Sequence, residues 1–382
     1  MTPMTMRHLC LVAAASLVLP ACRNPVGDDS EGLVTRLWFA PLTSQYLWPA
    51  TPAVRDGLVM VYDGRGIAAF HASDGAMQWQ TELFGSEAGN AGDIVAIGDR
   101  ACVADVFGGS GCVQTTSGAV VWTAPTDTPW SYQHAGDESA FYYGTHAHQV
   151  VARDPATGIM KWKMDWAPTT SFESWFRGAA VRNDTVFVAT ARYLNENGFE
   201  STGDLLALDR RSGRELWRFT AAGKQSDFQA GPVLAGSIAI VSDTYGHTLR
   251  AVDLATHAQL WEAVADQRGY IDAESRPVVY RDTVFAASTD TQIYALDLHT
   301  GRALWRVAGG FGSLGSTAVC GRLVLAVPWT TGPLIAVDRT TQRVAHPAVL
   351  WEGDELFSRI AVDGTTAYAV GTKGVYAFRC VE

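Results

Sequence analysis

From residue 33 onward the chain alternates short apolar or every-other-residue apolar runs with polar turns of a few residues. Residues 276–305 show the pattern well. Runs at 276–280, 283–287, 292–296 and 302–305 are separated by Arg281-Asp282, Asp290-Thr291 and Thr300-Gly301. The runs are rich in β-branched and aromatic residues, and the breaks are turn-formers, so four short strands joined by tight turns are expected. No stretch of the body holds a sustained helical period.

The same pattern recurs along the chain. Ala295, Asp297, Gly301 and Trp305 align without gaps to Ala207, Asp209, Gly213 and Trp217, and to Ala152, Asp154, Gly158 and Trp162. A fourth copy has Ala251, Asp253 and Trp261, with His257 where glycine is expected. Weaker copies end at Trp79 and Trp122, with His71 and Gln114 in the Asp position. A seventh begins Ala336, Asp338 and ends at His346. Trp38, Trp79, Trp122, Trp162, Trp217, Trp261, Trp305 and His346 are 41, 43, 40, 55, 44, 44 and 41 residues apart.

Four antiparallel strands in every ~40–45 residues is the arithmetic of a propeller blade, in which radial closure protects most strand edges. The Asp can accept backbone N–H groups in its turn and the Gly can take a positive φ. The Trp begins the outer strand, burying a large apolar area against the neighbouring sheet with its indole N–H available to a carbonyl. The C-terminal unit has three strand-like runs, and 33–38 looks like an orphan fourth strand. The expected fold is an all-β, eight-bladed β-propeller spanning 33–382, its last blade completed by an N-terminal strand, as a monomeric ring.

Upstream, Arg7 precedes an apolar run from Leu9 to Leu19, too short for a mature membrane-spanning helix. It ends Leu19-Pro20-Ala21-Cys22, which resembles the lipobox of bacterial lipoproteins. That resemblance implies a signal peptide at 1–21, lipid on Cys22, a polar tether at 22–32, and a periplasmic body anchored to the outer membrane, since Arg23 rather than Asp follows the Cys. An ordinary cleaved signal peptide with an incidental Cys22 is the other reading. Lys and Arg number 29 against 39 Asp and Glu, a formal charge of −10 with no basic run. Nucleic acid is therefore not an expected partner.

The Ala-x-Asp-x-x-Thr-Gly-x-x-x-Trp pattern resembles the PQQ-like (quinoprotein-type) repeat over 33–379, and an eight-bladed, lipid-anchored ring of it is similar to the BamB-type accessory lipoproteins of outer-membrane β-barrel assembly. The resemblance implies a non-catalytic scaffold that docks an envelope protein. Alternatives are a glycan or small-molecule binder at an aromatic funnel, or a PQQ-dependent dehydrogenase-like enzyme. Quinoprotein dehydrogenases carry an adjacent-Cys pair and long site-building inserts; this chain has no Cys-Cys pair and is short of such inserts, so no cofactor and no catalytic residue are expected. His134, His146, His148 and His247 lack a completed ligand spacing, and no metal is expected.

Outside the leader and Cys22, four cysteines remain. Cys102 and Cys112 flank a Phe-Gly-Gly turn, so a cross-hairpin disulfide is plausible. Cys320 and Cys380 fall on one face of adjacent blades and could clamp the C-terminus. An aromatic recurs in the loop leading into each blade: Tyr46 and Trp48, Phe84, Trp130 and Tyr132, Phe172, Trp175 and Phe176, Phe228, Tyr270, Phe311 and Phe357. Arg177, Arg276, Arg359, Glu173 and Glu274 lie beside them. These aromatics either plug the gaps between blades or ring a funnel mouth. Residues 192–201, about ten more than the matching turn of the sixth unit, form the longest departure from the repeat. The partner-binding candidates are Arg192, Tyr193, Phe199, Trp175, Phe176, Arg177, Trp48 and Tyr270.

Overall fold

The computed structural model describes residues 32–42, 50–85, 92–125, 129, 133–166, 174–195, 200–221, 226–243, 248–264, 276–288, 290–310, 314–328, 331–345 and 349–382. They form eight four-stranded antiparallel sheets and no helix. In seven blades the strands follow in chain order from the innermost outward, as in blade one: Ala53–Arg55, Leu58–Tyr62, Gly66–His71 and Met77–Glu82. Blade eight takes Ala361–Asp363, Thr366–Val370 and Gly374–Cys380 from the C-terminus, and Val34–Pro41 from the N-terminus as its fourth strand. The pairing runs from Val34 opposite Cys380 to Pro41 opposite Gly374. The eight-bladed propeller and its N-terminal closure are as the repeat predicts.

Each blade buries its middle strands between two neighbours, so these read as continuous apolar runs rather than alternating ones. Leu323–Pro328 in blade seven is buried at every position, whereas Met77–Glu82, an outer strand, is largely exposed. The core is a series of slabs between sheets. Leu325 and Ala336 of blade seven share one with Ala367 and Phe378 of blade eight, and Trp38 and Tyr368 share the next with Val59 and Phe70 of blade one.

The repeat's glycine and tryptophan act across blades. Trp38 Nε1 donates to Ala72 O at 2.9 Å, Trp79 to Thr115 O at 2.8 Å, and Trp122 to Pro155 O at 3.0 Å. Trp162 reaches Arg210 O at 2.9 Å and Trp261 reaches Leu298 O at 2.8 Å. Each acceptor lies three residues before the turn glycine of the following blade. That glycine also meets the indole face: a Cβ on Gly158 would sit 2.7 Å from the Trp122 ring, and one on Gly301 2.6 Å from Trp261. Both glycines have positive φ, 72° and 68°. Where blade five carries His257 instead, at φ 61°, Trp217 stacks on the imidazole with centroids 4.4 Å apart.

The Trp is the third residue of its outer strand rather than the first. In blade one Phe70 pairs with Met77 and Ala69 with Trp79, leaving Gln78 as a bulge; the same shift recurs in blades two to six. A bulge sharpens local twist and re-aims the following side chain, here the indole toward the next blade. The turn aspartates are satisfied as their spacing implies, Asp154 Oδ1 accepting from Ala156 N at 2.9 Å and Thr157 N at 3.0 Å.

Two disulfides complete the framework. Cys102 and Cys112 are directly opposed on adjacent strands of blade two, Cα atoms 4.1 Å apart. Cys320 ends the first strand of blade seven and bonds Cys380, the last residue of blade eight's third strand, with Cα atoms 5.8 Å apart.

Candidate functional site

At both ends of the 192–201 segment the described residues extend a paired hairpin. In blade four Thr185–Tyr193 and Ser201–Asp209 have 9 residues each, against 5 in Thr283–Ala287 and 6 in Gln292–Asp297 of blade six. The ladder stays in register to Tyr193 opposite Ser201. Arg192 and Tyr193 are therefore strand residues. The Arg192 guanidinium pairs with the buried Asp204 carboxylate at 3.3 Å, which Arg218 also approaches at 3.3 Å, and Thr220 Oγ1 donates to Asp204 Oδ1 at 2.6 Å. Tyr193 donates to Asp227 Oδ2 at 2.9 Å, and Arg177 reaches the same oxygen at 3.4 Å while its guanidinium lies 5.1 Å from the Trp175 ring.

Burial pushes the Asp227 carboxyl above the usual carboxylate range, against the opposing pull of Arg177 and the Tyr193 hydroxyl. Asp227 N in turn donates to Asp243 Oδ1 at 2.9 Å, tying blade five to the same network. Four of the eight candidate residues, Arg177, Arg192, Tyr193 and Trp175, thus sit at the root of the projection. At the tip, Leu194 is 48% exposed.

Turns between second and third strands lie on the same face of the ring as the segments leading into each blade. On that face Phe107, at the blade-two turn, is 65% exposed, and Trp351, ahead of blade eight, is 36% exposed. Trp351 stacks on Phe39 with centroids 5.4 Å apart and lies 6.0 Å from the Arg36 guanidinium. Periodicity misses these residues because Phe107 and Trp351 occupy no repeated position; their exposure is what singles them out.

Several aromatics of the proposed funnel ring pack instead. Phe84, Phe176, Phe228 and Phe357 are all buried. Three lie over glycines, where a Cβ on Gly108 would sit 2.6 Å from Phe84, on Gly144 2.2 Å from Phe176, and on Gly203 2.6 Å from Phe228. Phe176, a partner-binding candidate, is accordingly a core residue beneath the face. Trp48, Phe199 and Tyr270 lie outside the described residues, as do Tyr46, Trp130, Tyr132, Phe172, Phe311, Glu173, Glu274, His247, His346 and the lipidation candidate Cys22.

Around the propeller axis the innermost segments border an open cavity of about 490 Å³. It is lined by blades one, two, three, six, seven and eight, including Asp93, His134, Arg276 and Arg359. Asp93 Oδ1 accepts from Thr51 N at 3.0 Å, Thr51 Oγ1 at 2.7 Å and Arg359 Nη1 at 2.9 Å. His134 Nδ1 lies 3.0 Å from Asp93 O, so that nitrogen carries the proton. Burial and the neighbouring His148 lower the pKa of His146, and among the described residues no group of three His, Cys, Asp or Glu could hold a metal.

Residues 108–348 match the family model described as "Outer membrane protein assembly factor BamB", PQQ_2, over more than half of the chain. The chain belongs to this family. A search of curated proteins finds no match. Among solved structures, BamB from Moraxella catarrhalis superposes with a TM-score of 0.69 at 16% identity, covering 90% of this chain and 100% of that one. A computationally designed protein, Ika8, has a TM-score of 0.68 at 13% identity, and Saccharomyces cerevisiae Sqt1 0.69 at 11%, each covering 90% of this chain and 99% of the other. At these identities the structures share the fold, and a designed ring and a yeast protein within it show that the propeller alone does not dictate a role. The BamB family membership carries the functional direction.

Proposed function

We propose that this BamB-family propeller is a non-catalytic scaffold of outer-membrane β-barrel assembly, docking an envelope protein on the face that bears the blade-four hairpin. Its lipid would be carried on Cys22 after removal of residues 1–21, with 22–32 as a tether holding the ring, residues 33–382, in the periplasm at the outer membrane. The observation that carries the docking face is the hairpin itself. It is the largest departure from the repeat, its root is fixed by Arg192–Asp204 and Tyr193–Asp227, and it presents Leu194 outward. An exposed apolar side chain such as Leu194, next to a regularly paired hairpin root, loses little entropy on binding, which favours its use as an anchor.

The test is to replace residues 194–200 by a two-residue Asn-Gly turn and to compare capture of barrel-assembly components after envelope crosslinking. The strands flanking the replacement keep their register, so the ring should fold and the capture should be lost. Undiminished capture by the folded variant would remove the hairpin from the docking surface.

A further inference from the structure

The axial channel holds a charge that the docking face does not use. Arg276, from the segment leading into blade six, crosses toward blades four and five. Its Nη2 donates to Ala179 O at 3.1 Å and lies so close to Gly231 that a Cβ there would be 2.4 Å away. Gln133 Oε1 accepts the Gly231 N–H at 2.6 Å, fixing the backbone against which the guanidinium rests. The Arg276 Nε is buried and has no hydrogen-bond partner.

Among the described residues lining the channel, two guanidiniums, Arg276 and Arg359, face a single carboxylate. That carboxylate, Asp93, is already engaged by Arg359 and Thr51. Desolvation depresses the Arg276 pKa, with Asp93 opposing and Arg359 adding to the shift. A partly desolvated guanidinium is costly unless an anion pairs with it.

The rest of the wall constrains what that partner is. Ile94, Val95, Val278, Val319 and Ile360 make it largely apolar. The volume lies within the usual range for small-molecule sites, roughly 300–1,000 Å³. Among the described lining residues one positive charge is in excess, which suits a monoanion, and the planar guanidinium matches a planar carboxylate. We propose that the channel binds a small carboxylate with an apolar body, its carboxylate pairing with the Arg276 guanidinium where that group lines the cavity and its body lying against these aliphatic side chains.

Isothermal titration of the detergent-solubilised full chain with cyclohexanecarboxylate, cyclohexanecarboxamide and inorganic phosphate tests this directly. The acid should bind saturably and at least tenfold more tightly than either comparison. Arg276→Gln should weaken it tenfold or more, and Arg211→Gln, on an exposed outer turn of blade four, should leave it unchanged. Should R276Q fail to fold, Ala318→Leu, which narrows the channel and leaves Arg276 in place, should weaken binding by a similar factor. Equal binding of acid and amide, equal binding of phosphate, or a folded variant that retains wild-type affinity would overturn the proposal.

Discussion

At the scale of single residues, the ring depends on a glycine being small where its neighbour's indole arrives. Gly158 has φ 72° and no space for a Cβ beneath Trp122. An L-residue in the left-handed region costs about 1–2 kcal/mol, and displacing a packed indole adds to it. Gly158→Ala should therefore destabilise by about 2 kcal/mol or more in urea unfolding, whereas the same change at Gly364, with positive φ but open space, should cost only the backbone part. The turn aspartates give a pH signature. The Ser212 hydroxyl holds Asp209, the Thr256 amide holds Asp253 and the Thr300 hydroxyl holds Asp297 below the usual carboxylate range. A carboxylate depressed on folding stabilises above its unfolded pKa, roughly 4, and that contribution is lost as pH falls through the folded value. Urea midpoints should drop between pH 5 and pH 3. In Asp209, Asp253 and Asp297→Asn triple variants the midpoint at pH 7 should be lower and the acid slope shallower; an unchanged slope would contradict the assignment.

At the scale of strands and hairpins, covalent and hydrogen-bonded ties differ in what they close. Cys320–Cys380 spans 60 residues and joins two blades, while Cys102–Cys112 spans 10 within one hairpin. Loop-closure entropy assigns about 4 kcal/mol to the first and about 3 kcal/mol to the second. Paired Cys→Ser replacement should thus lower the stability more at 320 and 380 than at 102 and 112, as read by denaturant midpoint under oxidising conditions; the reverse order would show that blade eight is held by its strands alone. Strand number and blade count were legible in sequence because each repeats; the Cys102–Cys112 bond was readable from its flanked turn, whereas the sequence left Cys320–Cys380 open, since that bond depends on how two blades meet. The bulge before every Trp was not legible, since one extra residue on an outer strand leaves the spacing from Gly to Trp unaltered. The blade-four hairpin was visible as surplus length, but not its shape: regular pairing to Tyr193 and Ser201 depends on Asp204 and Asp227, which lie 11 and 34 residues from Tyr193 in sequence.

At the scale of the whole ring, closure creates what no local segment encodes. Arg359 and Asp93 are 266 positions apart and meet only because blade eight returns beside blade one. Reading along the chain picks out Arg276 and Arg359 beside the blade-leading aromatics and His134 among the histidines weighed for a metal, and gives no reason to group them with Asp93 or Gln133. The aromatic ring shows the opposite effect, since period alone cannot distinguish a funnel lining from packing, and Phe84, Phe176 and Phe228 pack on glycines. What the closed ring leaves projecting is the blade-four hairpin, and the function proposed here rests on that projection meeting a partner. The most direct measurement is photo-crosslinking in cells from a reactive amino acid placed at Leu194, compared with one at Glu138, exposed on a turn of the opposite face. Adducts with a barrel-assembly component from position 194 and none from position 138 are expected. Adducts from position 138 alone, or none from 194, would contradict docking through this face.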